Sequence, residues 1–160
     1  MTMKRTLSIA SDHAGYDLKE YLKKNITDVN WIDEGPLSAE RTDYPDYAEK
    51  VALKVSTQTA EQGVLVCGSG IGMCIVANKF PGIRAAVVES VQTAQLAREH
   101  NNANVLCLGS RILEPEYAKT IVNKWLTTSF EGGRHTGRVQ KITELEKKFH
   151  DKSSRDSSKK

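Results

Sequence analysis

Short β-rich runs alternate with longer segments of helical periodicity along almost the whole chain, and few folds accept that order. The strand-like runs are TLSIA, VNWID, GVLVC, IRAAVV and NVLCLG. The first helical segment is GYDLKEYLKKN, with Leu18, Tyr21 and Leu22 on one face. DYAEKVALKV follows Pro45 and carries Ala48, Val51, Ala52 and Val55 at helical spacing. IGMCIVANKF is mostly apolar, VQTAQLAREH follows the fourth strand, and another helix is predicted from Pro115 through YAKTIVNKWL. A last helix is predicted over RVQKITELEKKFH, after the turn EGGRHTG. Strands joined by helices return to the same edge of a sheet, so they pair in parallel.

The predicted fold is therefore α/β: a Rossmann-like, doubly wound sheet of about five parallel strands, with helices on both faces and an extra C-terminal helix. Crossovers in such a sheet are right-handed, and ligands bind beyond the carboxyl ends of the strands. Asp12 and His13 follow the first predicted strand, and Asp43 and Tyr44 stand between the second strand and its helix. Cys67 ends the third strand, Glu89 follows the fourth and Arg111 the fifth. All are expected on one edge.

The stretch VLVCGSGIGMCIVANKF runs from a strand through Gly68, Gly70 and Gly72 into a helix. Glycines there let backbone N–H groups approach an anion at a helix start. A P-loop would need Gly-Lys-Ser/Thr, but the chain has Gly72-Met73-Cys74. A dinucleotide fingerprint fits no better, because Ile75 stands where its third glycine would be and the loop follows the third strand. Cys67 is either a small buried hydrophobe or a functional thiol; ending a strand and facing a helix start favours a reactive thiolate. Cys74, inside an apolar helix, and Cys107, in VLCL, read as packing residues.

Asp12 is a good helix N-cap beside His13, and one of the two is expected to cap. His150 reads as solvated, and His135 in GGRHTGR has no evident role. His100 ends the fourth helix, so within one chain it belongs at the opposite sheet edge from Cys67; it is a surface residue or a neighbouring chain brings it to the site. Arg134 and Arg138, spaced i, i+4, suit a phosphate dianion or form an exposed basic helix start. The glycine loop and this basic pair together suggest a small phosphorylated substrate. Neither a metal-binding HExxH nor a GxSxG elbow is present.

The 160 residues suffice for one core, and 39% hydrophobic with 27% charged content is that of a soluble globular protein. A net charge of +3, with much of the positive charge in KKFHDKSSRDSSKK, does not make a nucleic-acid-binding face. No apolar run reaches membrane-spanning length and no secretory core follows MTMKR. Three cysteines without a CxxC pair fit free thiols in a reducing cytoplasm. One domain over 1–150 and a disordered polar tail over 151–160 are expected. Val139, Ile142, Leu145 and Phe149 form an apolar stripe on the last helix that the sheet or a second subunit must cover.

The motifs SDHAGYDLK, ERTDYPDYA, VLVCGSGIGMCIVANKFPGIRA, AREHNNANVLCLGSR and FEGGRHTGRV, in this order and spacing, closely resemble ribose-5-phosphate isomerase type B. The likeness extends from Thr6 to about Phe149. Sugar-phosphate isomerases acting on galactose 6-phosphate or allose 6-phosphate are similar, so the reaction is better fixed than the substrate. The resemblance implies reversible conversion of D-ribose 5-phosphate to D-ribulose 5-phosphate in the non-oxidative pentose phosphate pathway. It implies an enediolate intermediate and neither metal nor organic cofactor.

Carried onto this chain, the resemblance implies that Cys67 moves the proton between C1 and C2 and that His100 opens the sugar ring. Asp12, His13 and Asn101 line the substrate site, and the loop Gly68, Ser69, Gly70, Ile71 and Gly72 offers backbone N–H groups to the enediolate oxygen. Arg111, Arg134 and Arg138 hold the substrate, largely at its phosphate, and Asp43 supports Cys67. One branch of the family uses a glutamate just after the loop as base; Met73 stands there and cannot take a proton, which selects the cysteine branch. The family also implies a homodimer, or a dimer of dimers, with sites shared between subunits. A nucleotide-binding module and an inactive phosphosugar sensor are the alternatives from other classes.

Overall fold

Every residue of the strand Gln62–Cys67 is buried, and so is every residue of Val105–Gly109. Strands so apolar must be covered on both faces, which is the environment of central strands in a parallel sheet. The computed structural model describes residues 3–157. Its strands are β1 (Arg5–Ser11), β2 (Val29–Asp33), β3 (Gln62–Cys67), β4 (Ala85–Val87) and β5 (Val105–Gly109). Its helices are α1 (Tyr16–Asn25), α2 (Tyr44–Ser56), α3 (Ile71–Ala77), α4 (Val91–Glu99), α5 (Pro115–Thr127) and α6 (Arg134–Ser157). The five strands pair in parallel in the order β2-β1-β3-β5-β4.

Helices cover both faces, as the alternation requires. Leu18 and Leu22 of α1, Ala94 and Ala97 of α4, and Ile121, Val122 and Trp125 of α5 pack against Leu7, Ile9, Val64, Val66, Leu106 and Leu108. On the other face Ala48, Val51, Ala52 and Val55 of α2 and Met73 and Ala77 of α3 meet Ala10, Leu65, Val105 and Cys107. The chain leaves β1 toward one side for β2, then crosses back to β3 on the other side. That reversal opens a crevice between the carboxyl ends of β1 and β3.

Three boundaries differ from the sequence expectation. β4 covers only Ala85–Val87, because at the sheet edge it has one partner, β5, and Arg84 N–H turns aside to the Asn104 side chain. α3 stops at Ala77, where Asn78 caps it. α6 begins at Arg134 rather than Arg138: Gly132 and Gly133, with φ of 70° and 52°, complete the turn early, and His135 N–H already donates to the Gly132 carbonyl. The helix continues through Ser157, so the backbone of 151–157 is helical where a disordered tail is expected, and 158–160 lie outside the described residues. Ile142, Leu145 and Phe149 on α6 are 46%, 54% and 64% exposed, so the chain's own sheet does not cover that stripe. Among the described residues, no helix is long and apolar enough to cross a membrane.

A buried ion cluster ties α1 to the end of β2. The Lys19 side chain has no solvent exposure, and its ammonium lies 2.9 Å from both Asp33 carboxylate oxygens and from Glu20. Burial by itself would raise the Asp33 carboxyl, but hydrogen bonds from Lys19, Lys23 and the Gly35 N–H hold it below the ordinary carboxylate range. A carboxyl depressed in the folded state adds stability above its unfolded pKa and loses it as pH falls through the lower, folded value. Asp33→Ala strands the buried Lys19 charge with Glu20 alone and is expected to cost on the order of 3 kcal/mol in urea denaturation at neutral pH. The gap between parent and variant should narrow as pH falls below the ordinary carboxylate range.

Candidate active site

Three backbone segments meet at the carboxyl ends of β1, β3 and β5. Asp12 N–H donates to the Val66 carbonyl, Ser110 N–H to the Cys67 carbonyl and Arg111 N–H to the Gly68 carbonyl. The Ser110 hydroxyl donates to the Ala14 carbonyl at 2.8 Å, which locks the loop after β5 to the loop after β1. A Cβ on Gly15 would stand 2.3 Å from the Val66 carbonyl oxygen, so only glycine lets these loops approach so closely.

The crevice above this junction holds a cavity of about 330 Å³ lined by Asp12, Tyr44, Cys67, Gly68, Ser69, Gly72, Arg111 and Ile112. Cys67 is 5% exposed, and its Sγ accepts a hydrogen bond from the Gly70 N–H at 3.1 Å. That donor steadies negative charge on sulfur. Gly70 makes the geometry with φ of 79°, in the left-handed region that favours glycine. The Arg111 guanidinium lies against Gly68, where a Cβ would stand 3.0 Å from it. The cavity therefore joins a thiol, a cation and a loop of backbone amides.

The other expected residues fall in different places. Neither Asp12 nor His13 caps α1, whose N-cap is Gly15 with no side-chain cap bond; the Asp12 carboxylate instead accepts from the Gly15 N–H at 2.9 Å and braces the loop after β1. His13 stands beside the cavity with Nδ1 3.2 Å from the Thr42 carbonyl oxygen. Asp43 is exposed at the N-cap of α2 and makes no side-chain cap bond; its neighbour Tyr44 supplies the wall instead. Ile71, at the start of α3, is 53% exposed. Glu89 shares the carboxyl edge but lies beyond the edge strand, in a separate cavity with Val87, Ser90 and Thr93. It is displaced because β5 inserts between β3 and β4, an order that the sequence alternation does not reveal. Cys74 titrates at about 7, chiefly because the Cys107 thiol donates to it; it does not line the cavity.

His100, Asn101, Arg134 and Arg138 gather at the opposite edge. A crossover helix runs antiparallel to its strands, so His100, the C-cap of α4, lies at their amino ends. Roughly 20 Å of β3, at about 3.3 Å per residue, separates that edge from Cys67. There the imidazole of His100 stacks on His135, with centroids 4.2 Å apart and planes 15° apart. Asn101 lines a cavity of about 250 Å³ with Arg84, Ala86 and Ile142. A larger cavity of about 490 Å³ opens beside Ser56, Gln58, Glu61 and Asn104, but holds no thiol or histidine.

Comparison with known proteins gives a consistent match. The family model described as Ribose/Galactose Isomerase matches residues 7–142. The chain is 46% identical to ribose-5-phosphate isomerase B of Escherichia coli over 146 residues, covering 90% of this chain and 98% of that one. It superposes on ribose-5-phosphate isomerase B of Mycoplasma genitalium with bound ribulose-5-phosphate at a TM-score of 0.87 and 44% identity, over 91% of this chain and 99% of that one. The type B ribose 5-phosphate isomerase of Trypanosoma brucei gives a TM-score of 0.84 at 45% identity, over 89% and 99% of the two chains.

Tyr44 had no chemical signature in the sequence, but its ring lies where a Cβ on Gly72 would stand, 2.7 Å away. Gly72→Ala is expected to destabilise by about 1–3 kcal/mol through overpacking. In a Tyr44→Ala background the same substitution should cost less, and a double-mutant cycle of melting free energies measures that coupling.

Proposed function

Because the chain belongs to the ribose/galactose isomerase family, we propose that it interconverts D-ribose 5-phosphate and D-ribulose 5-phosphate. The observation that carries this reading is the Cys67 sulfur at the switch-point cavity, with a backbone donor on it and Arg111 beside it. A cavity of about 330 Å³ fits a small polar substrate.

In the forward direction the Cys67 thiolate removes the proton from C2 of the open-chain aldose. Electrons move through C1=C2 to the C1 oxygen, giving an enediolate. The thiol returns the proton to C1 as the proton on O2 passes to O1, leaving a carbonyl at C2. Backbone N–H groups of Gly68, Ser69, Ile71 and Gly72 in the glycine loop face the oxygen where charge builds; one such donor is worth about 3 kcal/mol in the transition state. The Gly70 N–H serves the sulfur. Asp12 holds the loop after β1 against the substrate, and His13 and Arg111 bind substrate from the same chain. Asp43, beside Tyr44 at the start of α2, is the candidate support for Cys67. The scheme uses no metal or organic cofactor.

His100 opens the ring, taking the proton from O1 and delivering one to the ring oxygen. With Asn101, Arg134 and Arg138 it comes from a second copy, because its own chain holds it at the far sheet edge. The site is thus shared in a homodimer or a dimer of dimers. Phosphate anchoring by the two arginines fixes C1 and C2 against the thiolate. Residues 1–150 act as one isomerase domain in the cytoplasm, and 151–160 are dispensable.

Ribulose 5-phosphate formation from ribose 5-phosphate, followed in the presence of a chelator, should be robust for the parent and abolished in Cys67→Ala. Inability of the folded parent to turn over ribose 5-phosphate, with turnover of allose 6-phosphate, would move the assignment to a hexose phosphate. Subunit mixing tests the shared site. Cys67→Ala and His100→Ala are each expected to be inactive alone, yet dissociation and reassociation of equal amounts should restore about a quarter of parental activity. About half of such dimers are hybrids, each with one intact and one doubly defective site. No recovery in verified hybrids would show that both residues act within one chain.

A further inference from the structure

His135 had no role in the sequence, and its surroundings give it one. The turn at Gly132 and Gly133 starts α6 early and carries His135 inward, leaving it 4% exposed. The preceding loop is pinned to α4 by the Glu131 N–H, which donates to the Glu99 carbonyl at 3.1 Å, one residue before His100. His135 therefore meets His100 across two anchored elements. Its ring lies nearly parallel to that of His100 at 4.2 Å, and the Glu131 carboxylate stands 3.8 Å from His100 Nε2 and 3.6 Å from His135 Nε2.

Two imidazoles and a carboxylate with ligand atoms within 4.8 Å of one another resemble a metal site. The ring planes argue otherwise. An imidazole lone pair lies in the plane of its ring, and two planes only 15° from parallel cannot both aim at one ion. The Arg134 Nε–H also donates to His135 Nε2 at 3.3 Å. An arginine only donates, so that nitrogen carries a lone pair already engaged, and the His135 proton sits on Nδ1. Burial, then the neighbouring His100 and Arg134 charges, hold the His135 imidazole below its ordinary pKa. His135 is a neutral, fixed plate rather than a proton carrier.

We propose that His135 is a positioning residue for His100, holding the imidazole of His100 by stacking so that it can open the sugar ring. This rests on the ring-opening role of His100 proposed above. The His100 side chain is 35% exposed and, among the described residues, its contact with the Glu131 carboxylate at 3.8 Å lies beyond hydrogen-bond distance; stacking on His135 is what fixes its plane. Proton delivery to a ring oxygen depends on that plane, whereas proton transfer between C1 and C2 by Cys67 does not.

The two steps separate by choice of substrate. In D-erythrose 4-phosphate the hydroxyl needed to close a furanose is esterified, so this aldose needs no ring opening before isomerisation. His135→Leu fills the buried volume without a flat π-face, and His135→Phe keeps the face; melting temperatures verify that both fold. His135→Leu is expected to lower kcat on ribose 5-phosphate about tenfold to a hundredfold while leaving D-erythrose 4-phosphate within about twofold of the parent. His135→Phe should recover most of the loss. An unchanged rate in His135→Leu, an equal loss on both substrates, or an effect confined to KM would overturn the role.

The stack is read independently by NMR of the His100 imidazole, assigned with His100→Gln. Its ring-current shift should disappear in His135→Leu and persist in His135→Phe; persistence in His135→Leu would overturn the proposal. If the parent turns over neither sugar phosphate, the isomerase reading and the ring-opening role fall together. The NMR shift still decides whether His135 orients His100.

Discussion

Backbone packed directly on backbone at the carboxyl ends of β1, β3 and β5 is the constraint from which the site follows. Gly15 under the Val66 carbonyl, Gly109 with Ser69 backbone 2.9 Å from a would-be Cβ, and Gly70 against Leu108 at 3.1 Å leave no room for side chains. Substitution at any of them would force loops apart rather than move a side chain. Because the loops touch, hydrogen bonds such as Ser110 to Ala14 cross between them, and Cys67, Asp12 and Arg111 are held on one rigid frame. A base that must reach one particular C–H bond gains from rigidity of this kind, since the cost of alignment is met in folding.

The strand order then decides what this frame can contain. Inserting β5 beside β3 brings Arg111 to Cys67 and sends Glu89 to the edge. The cavity gains a cation where a sheet numbered in sequence order would have offered a carboxylate. For an anionic substrate and an enediolate that exchange is favourable, because a nearby carboxylate would oppose both.

Much of this was legible in the sequence, for reasons that differ from residue to residue. The five strands and their helices follow from periodicity, and Cys67 stands out because a strand end opening into Gly68, Gly70 and Gly72 places it at a helix start. Tyr44 was not legible as a wall, since its place depends on contact with Gly72 across the crevice. His135 was hidden because its burial depends on α6 starting at the glycine pair, and a turn rich in polar residues gives no periodic signal. Strand order was equally hidden: alternation fixes that strands are parallel, but both β4 and β5 satisfy the same local pattern. Opposite ends of the sheet could be assigned to Cys67 and His100 from sequence, because the direction of a crossover helix is set by the fold itself.

The separation of Cys67 from His100 has a consequence beyond a single chain. Any residue ending a crossover helix lies at the amino edge, and no rearrangement of loops within this sheet can carry His100 over β3 to the thiol. Chemistry that needs both groups must take one from a neighbour. Apolar side chains are available for such an encounter: Ile71 and Ile75 project from α3, 53% and 57% exposed, and Ile142, Leu145 and Phe149 from α6. Covering side chains of this size is worth about 1.5–3 kcal/mol each when burial is complete. The α3 residues lie next to the glycine loop, and the α6 residues follow Arg134 and Arg138 on the same helix. If the two copies proposed above associate through these side chains, their contacts run continuous with both halves of the proposed site, and association and assembly of the reactive groups become one event.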